Sequence, residues 1–196
     1  MKTINKSSAT LAIVVAVLFC LPGMGRRASA GELLVSAASS LTNVLQEIGS
    51  DFSGQFPGIK LVFNFGATGS LLQQLKHGAP VDVFASASQA YMARAVTEGL
   101  VIPASQRDFA INRLVLAIPI NGHAGVSNLQ SLNSAQVGRI GLGNPKMVPA
   151  GRYGQQALER AGLWSILQDK IVFGNSVRQV RAYLATGEVD AALIYG

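Results

Sequence analysis

The sequence predicts an α/β protein of two lobes, each a β-sheet flanked by helices. Three observations carry this. Short apolar runs rich in β-branched residues alternate with segments whose apolar positions recur every three or four residues. Glycines stand at the predicted helix stops, at Gly78, Gly99, Gly162 and Gly187. The rhythm breaks after about Ala110 and then restarts, giving two alternating blocks with no Pro/Gly/Ser-rich linker between them.

In the first block, Leu33 to Ala37 is a short strand. It runs through Ser39-Ser40 into an amphipathic helix over Leu41 to Phe56, with Leu41, Val44, Leu45, Ile48 and Phe52 on one stripe. Ile59 to Phe65 is a second strand, and after Gly66-Ala67-Thr68-Gly69 the segment Ser70 to Leu75 is a short helix with Gly78 in the position that follows a helix end. Val81 to Ala85 is a third strand and Gln89 to Glu98 a third helix. This βαβαβα order builds a parallel sheet with helices on both faces. In the second block, Leu114 to Ile120 is a strand, Leu129 to Ala135 a brief helix and Val137 to Leu142 a strand. Helices follow over Ala150 to Ala161 and Val177 to Thr186, with strands at Ile171 to Phe173 and Ala191 to Ile194. A single open sheet through both blocks is the competing arrangement.

Composition narrows the function. The 196 residues are 49% hydrophobic and only 13% charged. Four of the sixteen bases (Lys2, Lys6, Arg26, Arg27) fall in an acid-free first thirty residues, leaving twelve bases against ten acids elsewhere. So small a surplus does not describe a nucleic-acid-binding surface. One cysteine, Cys20, excludes a disulfide framework within the chain, and His77 and His123 are too far apart for a zinc cluster.

Residues 1–30 read as a signal peptide. Lys2 and Lys6 give the positive start, Leu11 to Leu21 the apolar core, and Ala28-Ser29-Ala30 a small-x-small cleavage site. Cleavage there makes Gly31 the mature N-terminus of an exported, soluble protein of two lobes, 31–111 and 112–196. The fully apolar run is shorter than the roughly 20 residues that a membrane span needs. Arg26-Arg27 follows the run instead of preceding it, against a twin-arginine signal.

In open α/β sheets ligands bind beyond the carboxyl ends of the strands. Four loops there share a character: Ser39-Ser40-Leu41-Thr42, Thr68-Gly69-Ser70, Pro149-Ala150-Gly151 and Ser176-Val177 each lead into a helix through small or hydroxyl residues. Each helix start offers unpaired N–H groups and about half a positive charge. Four convergent starts supply about two positive equivalents, the requirement of a dianion. Taken singly, Ser39, Ser40, Thr68 and Ser176 are ordinary N-caps. The loops contain no Asp or Glu to accept a proton from the ligand, which disfavours monohydrogen phosphate and favours a fully deprotonated tetrahedral dianion. Neutral donors can hold such an ion, since each bond to a charged group is worth about 1.5–3 kcal/mol. Arg152 and Arg178 read as long-range attraction or plain surface.

Five motifs in order resemble the periplasmic molybdate-binding proteins of ABC transporters. They are Ala37-Ala38-Ser39-Ser40-Leu41-Thr42, Phe65 to Ser70, Gly78 to Ala87, Gly143-Asn144-Pro145 through Val148-Pro149-Ala150-Gly151, and Ile194-Tyr195-Gly196. The resemblance implies a type II periplasmic binding protein fold that closes on molybdate or tungstate. It implies hydroxyl donors at Ser40, Thr68 and Tyr195 and backbone N–H donors at Ala150 and Val177. The metal then enters only as the oxyanion, with no cofactor and no catalysis. The protein would be a periplasmic monomer working with permease and ATPase subunits. Ser39 stands where the family often has alanine and Thr68 where serine is commoner, so Ser39 and Ser70 are the register alternatives. A relative binding sulfate or another small oxyanion by the same donors is the competing function.

The other classes lack their motifs. A serine hydrolase needs Gly-x-Ser-x-Gly, a nucleotide-binding enzyme needs Gly-x-x-x-x-Gly-Lys-Ser/Thr, and neither occurs. The resemblance also implies further strand and helix after the Tyr-Gly pair that return to the first lobe. Without that C-terminal return, the sheet over Leu33 to Ala85 is expected to leave an unpaired edge and open apolar surface.

Overall fold

The computed structural model of the chain describes residues 31–120, 122 and 125–196. The signal-peptide expectation, Cys20 and His123 lie outside them.

Two separate sheets replace the single-sheet alternative. The first has strand order β2-β1-β3, all parallel. It comprises β1 (Gly31–Ala38), β2 (Ile59–Gly66) and β3 (Val83–Ala85). Between the strands run a 3₁₀ turn (Ser39–Leu41) leading into α1 (Thr42–Gln55), then α2 (Thr68–Lys76); α3 (Gln89–Thr97) follows β3. β1 is central, and its C-terminal half, Val35 to Ala38, is buried while its start is exposed. Asp82 begins the third strand by giving its N–H to Leu34 O (2.9 Å) and taking the Leu34 N–H on its carboxylate (2.8 Å).

The second sheet has order β4-β7-β5-β6, with β4 antiparallel to β7 and the rest parallel. Its strands are β4 (Leu114–Ala117), β5 (Ile140–Gly143), β6 (Ile171–Gly174) and β7 (Ala191–Tyr195). Its helices are α4 (Pro149–Arg160), the short α5 (Trp164–Leu167) and α6 (Val177–Ala185). β5 is buried along its whole length and β7 over Ala191 to Ile194, because helices cover both faces. On one face Leu142, Leu158, Leu163, Leu167 and Leu193 form a cluster; on the other Val180, Leu184, Val189, Ala192 and Ile194 do. Full burial of each leucine, valine or isoleucine among them contributes about 1.5–3 kcal/mol. The close approach depends on glycine: a Cβ at Gly151 of α4 would overlap the Gly143 carbonyl of β5.

Several expectations shift. α2 begins at Thr68 instead of Ser70, so Thr68 lies inside the helix and Ala67 is its cap residue. β4 stops at Ala117, short of Ile120, where Pro119 has no N–H for a ladder. α5, unforeseen, is too short for a periodic signal and is anchored by fully buried Leu167. Leu41, in the turn before α1, and Leu45 and Phe52 on α1 are partly covered, but Val44 and Ile48 face solvent. β3 has no strand on its outer side among the described residues, and Val83 there is exposed. Among the described residues no helix is long and apolar enough to cross a membrane.

Candidate functional site

Every loop singled out from sequence lies at the carboxyl end of a strand. β1 runs into Ser39–Leu41, β2 into Thr68, β5 into Pro149 and β6 into Val177, while Tyr195 ends β7. Two aspartates stand at the other ends of the strands: Asp82 binds Leu34 N before β3, and Asp190 takes the Gly138 and Arg139 N–H groups (2.8 and 2.9 Å) before β7. A cavity of about 490 Å³ lined by Pro119, Thr186 and Asp190 also lies away from the helix starts.

The four starts converge. Ala67, Ala150, Val177 and Tyr195 share one apolar cluster although they come from both sheets, and the Ser39–Leu41 turn packs against α6. Thr68 and Ala150 are fully buried, and Val177 is 9% exposed. Ser40 and Tyr195 are half-buried. All five predicted residues therefore meet at one junction.

Their hydrogen bonds differ in kind. Thr68 Oγ1 accepts the Ala87 N–H at 3.2 Å, which leaves its own hydrogen free to donate. Tyr195 Oη donates to Ala87 O at 3.4 Å, a long bond that a better acceptor could replace. The Ser40 hydroxyl and the Ala150 and Val177 N–H groups have no protein acceptor among the described residues. Of the register alternatives, Ser39 is buried, with its carbonyl taking the Thr42 hydroxyl (2.8 Å). Ser70 sits two residues beyond Thr68 on α2, on the opposite side of the helix.

Three sequence readings need correction. Of the hydroxyl residues read as N-caps, only Ser176 accepts a helix N–H, from Gln179 at 3.1 Å. The start of α2 does not leave all its N–H groups free: Gly69 N donates to Met147 O at 2.9 Å, across to the second sheet's loop. Arg152 is half-buried, its guanidinium 5.4 Å over the Tyr91 ring, whereas Arg178 is exposed as read and its Nη1 also donates to Asn43 Oδ1 at 2.8 Å. Sequence reading also passed over Ala87, which bridges Thr68 and Tyr195. Ser86-Ala87-Ser88 follows β3 into α3 with the same small and hydroxyl residues as the other four loops, and that pattern could have found it.

Burial, with the neighbouring Tyr153 adding to it, pushes the Tyr195 phenol well above its ordinary value. The protein therefore keeps this donor protonated. A raised pKa in the folded state costs stability only as pH climbs past the unfolded value of about 10. Melting temperature should be level below that pH and fall above it, and Tyr195→Phe should flatten that alkaline fall.

The geometry is that of a solute-binding protein, a two-sheet scaffold with backbone and hydroxyl donors where its lobes meet. The chain belongs to the bacterial extracellular solute-binding proteins, whose family model matches residues 33–196. Among relatives, the molybdate-binding protein ModA of Escherichia coli (strain K12) is 32% identical, over 86% of this chain and 67% of its own length. YvgL of Bacillus subtilis (strain 168), provisionally described as an ABC transporter substrate-binding lipoprotein, is 37% identical over 83% of this chain, which spans 62% of YvgL. The solved periplasmic molybdate-binding protein of Azotobacter vinelandii superposes with a TM-score of 0.74 at 31% identity, over 83% of this chain and 71% of its own.

Proposed function

We propose that this protein captures molybdate or tungstate where the lobes 31–111 and 112–196 meet, and delivers it outside the cytoplasm to the permease and ATPase of an ABC transporter. The ion is cargo and not a resident cofactor, no reaction is catalysed, and the protein acts as a monomer without nucleic acid. Ser40, Thr68 and Tyr195 donate hydroxyl hydrogens; Ala150 and Val177 donate backbone N–H groups. The observation that carries this reading is Ala87: by donating to Thr68 Oγ1 (3.2 Å) it directs the Thr68 hydrogen away from itself, toward an acceptor that the described residues do not supply. Tyr195, held neutral by burial, can exchange its 3.4 Å bond to Ala87 O for a shorter one to an anion. The relatives' names and the carboxylate-free loops agree with a fully deprotonated ligand.

Calorimetric titration of the purified chain with molybdate, tungstate and sulfate tests this. Molybdate and tungstate should bind at one site with sulfate much weaker; tighter sulfate binding, or none of the three binding, would overturn it. Ser40→Ala should weaken molybdate by roughly ten- to a hundredfold, the loss of one charge-assisted bond. Ser39→Ala should leave the affinity near that of the unmodified chain.

A further inference from the structure

We propose that Gly69 and Tyr91 form a latch that holds the two lobes together independently of any ligand, by gripping the turn that carries Ala150. The grip is on two successive carbonyls of the second lobe. Tyr91, 4% exposed on α3, donates its hydroxyl to Lys146 O at 2.7 Å, and Gly69, on α2, donates its N–H to Met147 O at 2.9 Å. The gripped turn is tied to its own lobe: Asn144 N donates to Gly174 O (2.8 Å), and the Met147 and Val148 N–H groups return to Asn144 O. Lys146 and Met147 stand just before Val148, Pro149 and Ala150, so fixing them fixes the start of α4 against Thr68. The Arg152 guanidinium, from the first turn of α4, lies over the ring of the same tyrosine, 5.4 Å from its centroid.

None of these groups belongs to the donor set of the proposed site. The latch works on the lobes, and on the ligand only through them. Thr68 and Ala150 are fully buried at the junction, so an anion reaches them only when the lobes part and is held for as long as they stay together. Gly69 is what lets the contact form. A Cβ there would stand 2.8 Å from Met147 O, 2.9 Å from Met147 Cα and 3.0 Å from Tyr91 Oη. Two of those atoms are backbone and cannot swing aside. Its φ is not positive, so alanine fits the helix itself.

The two variants divide the effects. Tyr91→Phe removes only the hydroxyl, and Gly69→Ala blocks the approach while favouring the helix. Small-angle scattering of the ligand-free full chain should give a larger radius of gyration for both variants, and Gly69→Ala should melt no lower than the unmodified chain. An unchanged radius in both would overturn the latch whether or not molybdate is the ligand. With molybdate, which rests on the function proposed above, Tyr91→Phe should raise the dissociation rate about tenfold with little change in association rate. Gly69→Ala should raise Kd by about a hundredfold or more. Dissociation as slow as in the unmodified chain would also refute the latch. Failure of the unmodified chain to bind molybdate would refute the proposed ligand and leave the scattering result to decide the latch.

Discussion

Gly151→Ala is expected to unfold the second lobe or leave it barely stable. The added methyl would be driven into the Gly143 carbonyl of β5, backbone against backbone, where no rotamer change relieves the overlap. Overpacking a core commonly costs about 1–3 kcal/mol because flexible side chains absorb part of it. Here only separation of α4 from β5 can, and the approach is as close from the β5 side, where a Cβ built at Gly143 would stand 2.8 Å from Val148 Cβ. A loss of at least about 3 kcal/mol follows, a large part of the roughly 5–15 kcal/mol that stabilises a typical domain. Gly54→Ala is the matched control: it lies within α1 with nothing near its Cβ direction, and should stabilise by about 0.5–1 kcal/mol. Urea titrations of the two variants read the difference. A Gly151→Ala midpoint within error of the unmodified chain would show that α4 does not approach β5 as described.

The parts of this fold legible from sequence are those set by local chemistry. The helix stops at Gly78, Gly99, Gly162 and Gly187 were readable because each glycine has positive φ, between 68° and 82°, a conformation that other residues rarely adopt. The strand-helix alternation was readable because each element buries a face. What escaped was set at long range. Gly69 reads as a helix breaker in isolation, yet α2 starts before it, since Met147 O, far along the chain, receives its N–H. Arg178 reads as exposed surface, as it is, but its bond to Asn43 escapes because that partner is 135 residues away. The stripe on α1 was only half right: periodicity names the apolar positions but not how much surface a neighbour covers, so Val44 and Ile48 stay exposed. The four loops that meet at the junction are legible as one type, because each leads from a strand into a helix through small or hydroxyl residues. Ala87 lies in a loop of the same type, Ser86-Ala87-Ser88, but its two partners, Thr68 and Tyr195, are 19 and 108 residues away, so nothing local marks it as their bridge.

Thr68→Val should weaken molybdate binding by roughly ten- to a hundredfold and, unlike the other hydroxyl removals at the site, lower the melting temperature as well. Valine keeps the shape of threonine, so packing at this fully buried position is preserved and the hydroxyl is the only difference. Its loss removes two things at once. The anion loses a charge-assisted donor, worth about 1.5–3 kcal/mol. The Ala87 N–H also loses its acceptor and points into the junction unsatisfied, which costs about 1–3 kcal/mol more. The second loss burdens the free and bound states alike while the lobes are together, so it appears chiefly in melting temperature, and the first appears in Kd. Affinity should therefore fall by roughly ten- to a hundredfold from the donor alone, and further if the freed Ala87 loop draws its carbonyl away from Tyr195. Tyr195→Phe removes a 3.4 Å bond in the ligand-free state and strands nothing comparable, so its melting temperature should move less. Ser70→Ala, on the opposite side of α2, sets the register: it should change neither quantity appreciably. Calorimetry and thermal melts on the three variants decide it, and a Ser70→Ala protein that loses molybdate while Thr68→Val retains it would place the second-loop donor at Ser70.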